Sequence, residues 1–280
     1  MLPVFYNPAQ CAPKSSFSPS SVKPRYVVQD WLEHFAGQIE IRDFKPVARD
    51  AFKRVHDPEM VDAVLECRQA NGFGNRSVEV ARSLPYTTGS MLAAARYAVE
   101  NGCVTCSPTS GFHHADFHGP QGFCTFEGLM VTAVMLKEAG LVSSVGIIDC
   151  DVHFGNGTAD IIRRFGLDWV RHHTMGAQYF ERGDRFANAA GHSTFDRWLQ
   201  SAIDDVQNCD LVLYQAGADP HVDDPLGGVL TTDQMRSRDE LVFSELQGTP
   251  LTFNLAGGYP RGVGSEPTLT RHCSMHRMIP

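Results

Sequence analysis

The amino-acid sequence predicts an α/β fold, with a mainly parallel central sheet flanked by helices on both faces. Short apolar, β-branched runs alternate with longer segments of helical periodicity, and this alternation is typical of a parallel sheet covered on both sides. The 280 residues suit a single α/β domain. Because the sequence contains neither an internal repeat nor a dividing linker, we expect one domain over residues 1–280.

The predicted elements follow the chain in order. Seven short apolar runs indicate strands: Pro3–Tyr6, Ile39–Phe44, Gly102–Cys106, Ser144–Asp149, Trp169–Arg171, Leu211–Gln215 and Leu251–Leu255. Amphipathic periodicity indicates eight helices: Tyr26–Phe35, Pro58–Gln69, Gly89–Glu100, Phe126–Glu138, Gly157–Phe165, Thr194–Gln207, Thr231–Glu245 and Glu266–Met278.

Local signals mark some of the element boundaries. Asp57 followed by Pro58 is a typical helix start, because Asp caps the helix and proline suits the first helical position. Thr194 is a second candidate cap. The Ser- and Pro-rich stretch Pro8–Pro24 predicts a loop.

Charge and composition exclude several classes of protein. The chain has 24 Lys and Arg against 32 Asp and Glu, a formal net charge of −8. This balance disfavours a sequence-independent nucleic-acid binder, which needs a surplus of cations, but it permits a cationic substrate. Because neither a signal peptide nor a membrane-length apolar run is evident, and the eight cysteines are scattered, we expect reduced thiols and a cytoplasmic protein without membrane contact.

Polar residues follow four of the predicted strands. Because ligands bind beyond the carboxyl ends of strands in such sheets, these residues are the candidates for function. They are the segments Ser110–Asp116, Asp149–Gly157, Gln215–Asp219 and Ala256–Tyr259.

The segment after the fourth strand predicts a metal site. Asp149, Asp151 and His153 alternate, so in an extended chain all three side chains would point to one side. Asp219, after the next apolar strand, supplies a further ligand, and two carboxylates with one imidazole are typical of a catalytic metal centre. This donor set suits Zn²⁺ and tolerates Fe²⁺ or Co²⁺. The structural alternative is a capped strand end with solvated acids.

His113, His114 and Tyr259 would complete a hydrolytic site. One imidazole can move protons between water and a leaving amine, and Asp149 and Asn156 are near enough in sequence to the ligands to orient the pair. Tyr259 follows two glycines, and its hydroxyl could donate to a developing oxyanion. The combination predicts metal-assisted amide hydrolysis.

These residues and their order resemble the histone deacetylase superfamily, which includes lysine deacetylases, acetylpolyamine deacetylases and acetoin-utilisation proteins. The resemblance runs from about Val55 to Tyr259, and it implies the arginase/deacetylase-like fold. It rests on these segments: Val55–Glu59, Gly89–Ser90, Gly111–Ala115, Gly122–Cys124, Asp149–Gly157, Gln215–Asp219, Asp224–Gly228 and Gly257–Tyr259.

The resemblance implies a role for each matching residue. Asp151, His153 and Asp219 would bind Zn²⁺. His114 would be the general base and acid, His113 its companion bonded to Asp149, and Tyr259 the group that polarises the acyl carbonyl. The side chains that would line a narrow tunnel for an acyl-lysine stem are Phe123, Phe180 and Leu226.

The sequence departs from relatives at four places. Asn156 stands where many relatives have an aspartate, so we expect a less basic His114. Phe154 replaces a frequent second histidine, and Lys23-Pro24-Arg25 replaces a His-Pro-Glu-Arg stretch. A cationic Arg171 near the expected potassium ligands would disfavour K⁺, so K⁺ stays open.

The leading hypothesis is a Zn²⁺-dependent amidohydrolase that removes acetyl or another small acyl group from lysine side chains of proteins. Acetylpolyamine is the alternative substrate within the same class. Two other classes stay open: a binuclear ureohydrolase and a non-catalytic acyl-lysine binding module. Short loops would leave the tunnel mouth open or require a partner subunit, which keeps a homo-oligomer open as well.

Overall fold

The computed structural model describes residues 1–14, 16–177 and 189–259. Their strands are β1 (Leu2–Phe5), β2 (Ile39–Arg42), β3 (Val104–Ser107), β4 (Val145–Asp149), β5 (Val170–Thr174), β6 (Leu211–Gln215) and β7 (Leu251–Asn254). They form one sheet in the order β2-β1-β3-β7-β6-β4-β5, and every neighbouring pair is parallel. The predicted parallel sheet is confirmed, with differences of a few residues at the strand ends.

α-Helices connect and cover the strands, and those with described bounds are α1 (Lys23–Phe35), α2 (Arg49–Phe52), α3 (Pro58–Leu65), α4 (Val78–Asn101), α5 (Gly128–Glu138), α6 (Asn156–Phe165), α7 (Ala189–Val206) and α8 (Thr232–Glu245). Helix α4 begins well before the predicted Gly89, because Ser77 caps it and it continues through Pro85. The free energy gained by burying Val80 and Leu84 in the core exceeds the cost of the backbone hydrogen bond that Pro85 removes.

Three local predictions need correction or fall outside the described residues. Thr194 is not a cap, because α7 already begins at Ala189. Pro8–Pro24 is not wholly a loop, since a 3₁₀ turn spans Pro8–Gln10 and α1 begins at Lys23. The predicted helix Glu266–Met278 lies outside the described residues.

Two hydrophobic cores lie on opposite faces of the sheet. Alternation along β6 shows the division, since Leu211 and Leu213 pack into one core while Val212 and Tyr214 pack into the other. Helices α1, α7 and α8 contribute to the core of Val212, and α2 to α6 contribute to that of Leu211. Burial on both faces explains why β4 and β6 read as continuous apolar runs.

The carboxyl ends of the four central strands, β3, β7, β6 and β4, are in register with one another. Asp149 at the end of β4 is in register with Gln215 of β6, Gln215 with Asn254 of β7, and Asn254 with Ser107 of β3. The loops after these strands therefore meet at one edge of the sheet. No helix in the described part of the chain is long and apolar enough to cross a membrane.

Candidate metal centre and active site

Asp151, His153 and Asp219 converge at this edge. One ligand atom from each lies within 4.8 Å of the others. His153 Nδ1 is 3.0 Å from Asp151 Oδ1 and 2.9 Å from Asp219 Oδ2. The expected extended run from Asp149 to His153 is wrong, because β4 ends at Asp149 and a bend follows. The Asp149 carboxylate turns instead to His113.

The electrostatics of this group favour a bound cation. Burial raises the pKa of Asp219 well above its ordinary value, and the charge of Asp151 raises it further. Burial disfavours a charge on His153, but hydrogen bonds with both carboxylates outweigh it and raise its pKa to about 10. A divalent ion would replace that proton and relieve the repulsion between the carboxylates. Two carboxylates and one imidazole fit Zn²⁺, Fe²⁺ or Co²⁺.

Glycine is required where the strand-end loops touch the ligands. The Gly257 N–H donates to Asp151 Oδ2 at 2.9 Å. A Cβ at Gly257 would lie 2.5 Å from Asp219 Oδ2 and 2.6 Å from Asp151 Oδ2. A side chain there would displace a carboxylate, so this backbone approach helps to fix the ligand positions.

The two adjacent histidines lie beside the metal group with different partners. His113 is buried, and its Nδ1 is 2.7 Å from Asp149 Oδ2, while the other oxygen of Asp149 accepts from Gln215 Nε2 at 2.9 Å. His114 is half-buried and donates through Nδ1 to Asn156 Oδ1 at 2.6 Å. The two ring centroids are 4.1 Å apart.

Their surroundings move the two pKa values in opposite directions. Burial opposes a charge on His113, but Asp149 and Asp151 raise its pKa to about 9. Burial and then the charge of His113 lower the pKa of His114 to about 4. The Asn156 hydrogen bond acts the other way on His114, without outweighing burial.

Tyr259 follows a tightly bound turn. Its N–H donates to Asp224 Oδ2 at 2.6 Å, and burial raises the pKa of its phenol well above the ordinary value. The preceding turn has positive φ at Ala256 (42°) and Gly258 (136°). The buried ammonium of Lys23 donates to the carbonyls of Ala256 and Gly257, the second at 3.1 Å.

Aromatic rings surround Tyr259. Phe123 has a φ of 65°, a left-handed conformation that costs about 1–2 kcal/mol in a non-glycine residue. Its ring centroid is 5.9 Å from that of Tyr259 and 6.2 Å from that of Phe73. Phe17 stacks on Tyr259 at 5.9 Å and is 57% exposed.

Sequence reasoning missed Phe17, Phe73 and the contact made by Lys23. Phe17 lies in the Ser- and Pro-rich segment, where an aromatic residue among polar ones is the one sequence signal that could have pointed to it. In the sequence, Lys23 stands out only as a departure from relatives.

Of the predicted tunnel residues, Leu226 is joined to Tyr259 through the Asp224 carboxylate. Leu226 is 42% exposed, and its N–H donates to Asp224 Oδ1 at 2.8 Å. Phe180 lies outside the described residues. Phe154 is exposed. Arg171, expected near the potassium ligands, has an exposed guanidinium that pairs with Asp205 Oδ1 at 3.2 Å.

Curated relatives cover much of the chain. An uncharacterized protein of Picosynechococcus sp. is 28% identical over 242 residues, covering 80% of this chain and 79% of that protein. Histone deacetylase 10, chloroplastic, of Oryza sativa subsp. japonica is 28% identical over 270 residues, covering 81% of this chain. The chain spans 61% of the rice protein's length.

Solved structures share the fold. The HD domain of HDA15 superposes with a TM-score of 0.76 and 21% identity, covering 92% of this chain and 85% of that one. An acetylpolyamine aminohydrolase from Burkholderia pseudomallei superposes with a TM-score of 0.70 and 16% identity, covering 92% and 94%. The arginase/deacetylase-like α/β fold is thus confirmed.

The family model described as "Histone deacetylase domain" matches residues 20–167, just over half of the chain. This segment contains His113, His114 and two of the three candidate ligands, Asp151 and His153. The chain belongs to the histone deacetylase family.

Proposed function

We propose that this protein is a metal-dependent deacylase that removes acetyl or another small acyl group from lysine side chains. The observation that carries the proposal is the convergence of Asp151, His153 and Asp219 beside two histidines with different hydrogen-bond partners, Asp149 for His113 and Asn156 for His114. Membership of the histone deacetylase family supports a hydrolase acting on an amide.

The metal is proposed to be Zn²⁺, with Fe²⁺ and Co²⁺ as chemically acceptable substitutes. Asp151, His153 and Asp219 would hold it. When bound, the ion supplies Lewis-acid chemistry that lowers the pKa of water and polarises a carbonyl.

His114 is proposed to move the protons. Its Nδ1–H is held by Asn156, which leaves Nε2 free to accept a proton from the attacking water and to return it to the leaving amine. The low pKa of His114 keeps it neutral at pH 7, as a base must be. His113, bonded to Asp149, adds positive charge beside the developing oxyanion.

Tyr259 is proposed to donate to the oxyanion. Its raised pKa keeps the phenol protonated, and the hydrogen bond from its N–H to Asp224 fixes the residue at the end of the turn.

The aromatic side chains suit an aliphatic stem. Phe17 and Phe123 lie against Tyr259, and Phe73 packs on Phe123, so the site has apolar surface beside the tyrosine. Burial of an aliphatic stem contributes about 0.8 kcal/mol for each CH₂ group. Phe180 and Leu226 stay proposed tunnel residues on the strength of the resemblance alone.

Two rival classes are disfavoured. A binuclear ureohydrolase needs further ligands, and the described residues provide one cluster that could hold an ion. A non-catalytic binding module would lack a ligand or the tyrosine, whereas the chain has both. We propose in addition that residues 1–280 form one catalytic domain. Cytoplasmic location, oligomeric state and K⁺ binding stay predictions of the sequence.

The test is hydrolysis by the metal-reconstituted protein of matched acetyl-lysine peptides and acetylpolyamines, with and without a hydroxamate. We expect hydroxamate-sensitive turnover of the peptides, reduced about 10²–10³-fold in kcat by Tyr259→Phe. Hydrolysis of the acetylpolyamines alone would assign an acetylpolyamine, in place of an acylated lysine, as the substrate. If no substrate is hydrolysed, or if Tyr259→Phe keeps full activity, the proposal is contradicted.

A further inference from the structure

Arg238 of α8 is a buried cation whose contacts reach both loops that carry the candidate metal ligands. Its side chain is 2% exposed. Its Nη1 donates to the Gly217 carbonyl at 2.7 Å and approaches the Cys150 carbonyl at 3.5 Å. Its Nε donates to Asp239 Oδ1 at 2.8 Å, and the Tyr214 hydroxyl donates to the same oxygen.

The two carbonyls belong to the ligand loops. Cys150 immediately precedes Asp151, and Gly217 lies two residues before Asp219. Gly217 is packed tightly between the ligands, since a Cβ there would lie 2.8 Å from Asp151 Cα and 2.8 Å from Asp219 Oδ1. A displacement of the Gly217 backbone would therefore move one or both carboxylates.

The chemistry of arginine suits this task. The planar guanidinium donates in several fixed directions, so one group can serve Asp239 and two carbonyls at once. A lysine ammonium is a compact point charge and cannot hold the same three acceptors at the same separations. Apolar packing would fix α8 against the sheet at least as well as a buried ion pair, which leaves the positions of the carbonyls as the property that needs arginine.

We propose that Arg238, oriented by Asp239 and Tyr214, is a positioning residue that sets the spacing of the Asp151 and Asp219 carboxylates and hence the affinity for the metal. The inference rests on the proposed function, because it requires a metal at that site.

The test compares Arg238→Lys with Arg236→Lys by Co²⁺ titration of the metal-free proteins. Arg236 is a matched control, on the same helix but partly exposed and paired with Asp233 at 3.4 Å. We expect Arg238→Lys to fold with a similar Tm, to bind Co²⁺ at least about 10-fold more weakly and to alter its visible absorption band. We also expect kcat to fall while KM is unchanged. Arg236→Lys should match wild type in all of these.

A double variant separates positioning from loss of the ion pair. Arg238→Met with Asp239→Asn removes both buried charges, so no uncompensated charge remains. We expect the double variant to bind Co²⁺ more weakly than wild type, because the carbonyls of Cys150 and Gly217 still lack their donor. Wild-type Co²⁺ affinity in either Arg238 variant would overturn the inference. Failure of both to fold would also overturn it, by assigning Arg238 to stability alone. If wild type itself binds no Co²⁺, the proposed function fails instead.

Discussion

At the scale of residues, His113 and His114 are adjacent in sequence but differ in hydrogen-bond partner and in pKa. His113 faces a carboxylate and is held charged, whereas His114 faces the neutral amide of Asn156 and is held neutral. Titratable groups whose surroundings separate their pKa values are typical of acid–base catalysis. The amide thus fixes the orientation of His114 without adding charge.

Asn156→Asp should make His114 more basic. A carboxylate at the same place accepts the same hydrogen bond and favours the imidazolium, so the pKa of His114 should rise by about one unit or more. Because the base must be deprotonated, the acidic limb of the pH profile of kcat/KM should move to higher pH by the same amount. Steady-state kinetics across the pH range measure this shift.

The control for that profile is Asn208→Asp, which adds the same charge at an exposed position after α7. It should leave the acidic limb in place. An unmoved limb in Asn156→Asp would remove His114 from the role of base.

At the scale of elements, α1 and the turn after β7 are joined through one buried side chain. Lys23 is 1% exposed and donates to the carbonyls of Ala256 and Gly257. Ala256 has a positive φ, which a residue with a side chain adopts at a cost of about 1–2 kcal/mol. The lysine therefore holds the turn that precedes Tyr259.

Lys23→Met should weaken both the fold and the reaction. Two buried carbonyls lose a donor, so the free energy of unfolding should fall by about 1–3 kcal/mol. Looser placement of Tyr259 should lower kcat more than it raises KM. Denaturant unfolding and steady-state kinetics measure the two effects, and Lys14→Met, at an exposed lysine, is the control. An unchanged kcat in folded Lys23→Met would separate Lys23 from the position of Tyr259.

Glu127 links three further segments and should make stability depend on pH. It caps α5 by accepting from the Met130 N–H at 2.6 Å, and it accepts from Thr158 of α6 at 2.5 Å. Its own N–H donates to His56 Nε2 at 2.8 Å. Burial raises the pKa of its carboxyl to about 7, so the folded state favours the protonated form.

Glu127→Gln should therefore gain stability relative to wild type as pH rises. The wild-type contribution is complete below about pH 4.5, the ordinary value for the carboxyl, and is lost as pH rises through about 7. The difference in unfolding free energy between the metal-free proteins should change by about 3 kcal/mol between pH 4.5 and 8. A difference in unfolding free energy that is independent of pH would contradict this. The control is Glu245→Gln, at an exposed position, whose unfolding free energy should follow that of wild type across the pH range.

Prediction from sequence succeeded where local pattern decides the element. β6 was predicted with its observed bounds, because the apolar run Leu211–Tyr214 is followed by the polar Gln215 and then by Gly217. It failed for the first half of α4, where Pro85 indicates a break but packing keeps the helix intact. It also failed at Thr194, since a good capping residue can lie inside a helix.

At the scale of the whole molecule, the parallel topology explains why the site could largely be placed from sequence. Polar residues after four strands had to meet once β3, β7, β6 and β4 became neighbours with aligned ends. Lys23 could not be assigned this way, because it lies 233 residues from its acceptor. Arg238 is similarly remote, 88 residues from Cys150, and nothing in a helical pattern marks which arginine is buried.

We propose that one metal ion at Asp151, His153 and Asp219 makes this chain a deacylase, and stepwise addition of metal to the metal-free protein is the experiment that addresses this. Release of acetate from an acetyl-lysine peptide is measured after each addition of Zn²⁺. We expect the rate of acetate release to rise linearly and to stop rising at about one equivalent per chain, with no activity at any equivalent in Asp219→Asn. A rise that continues to two equivalents, or full activity without metal, would contradict it.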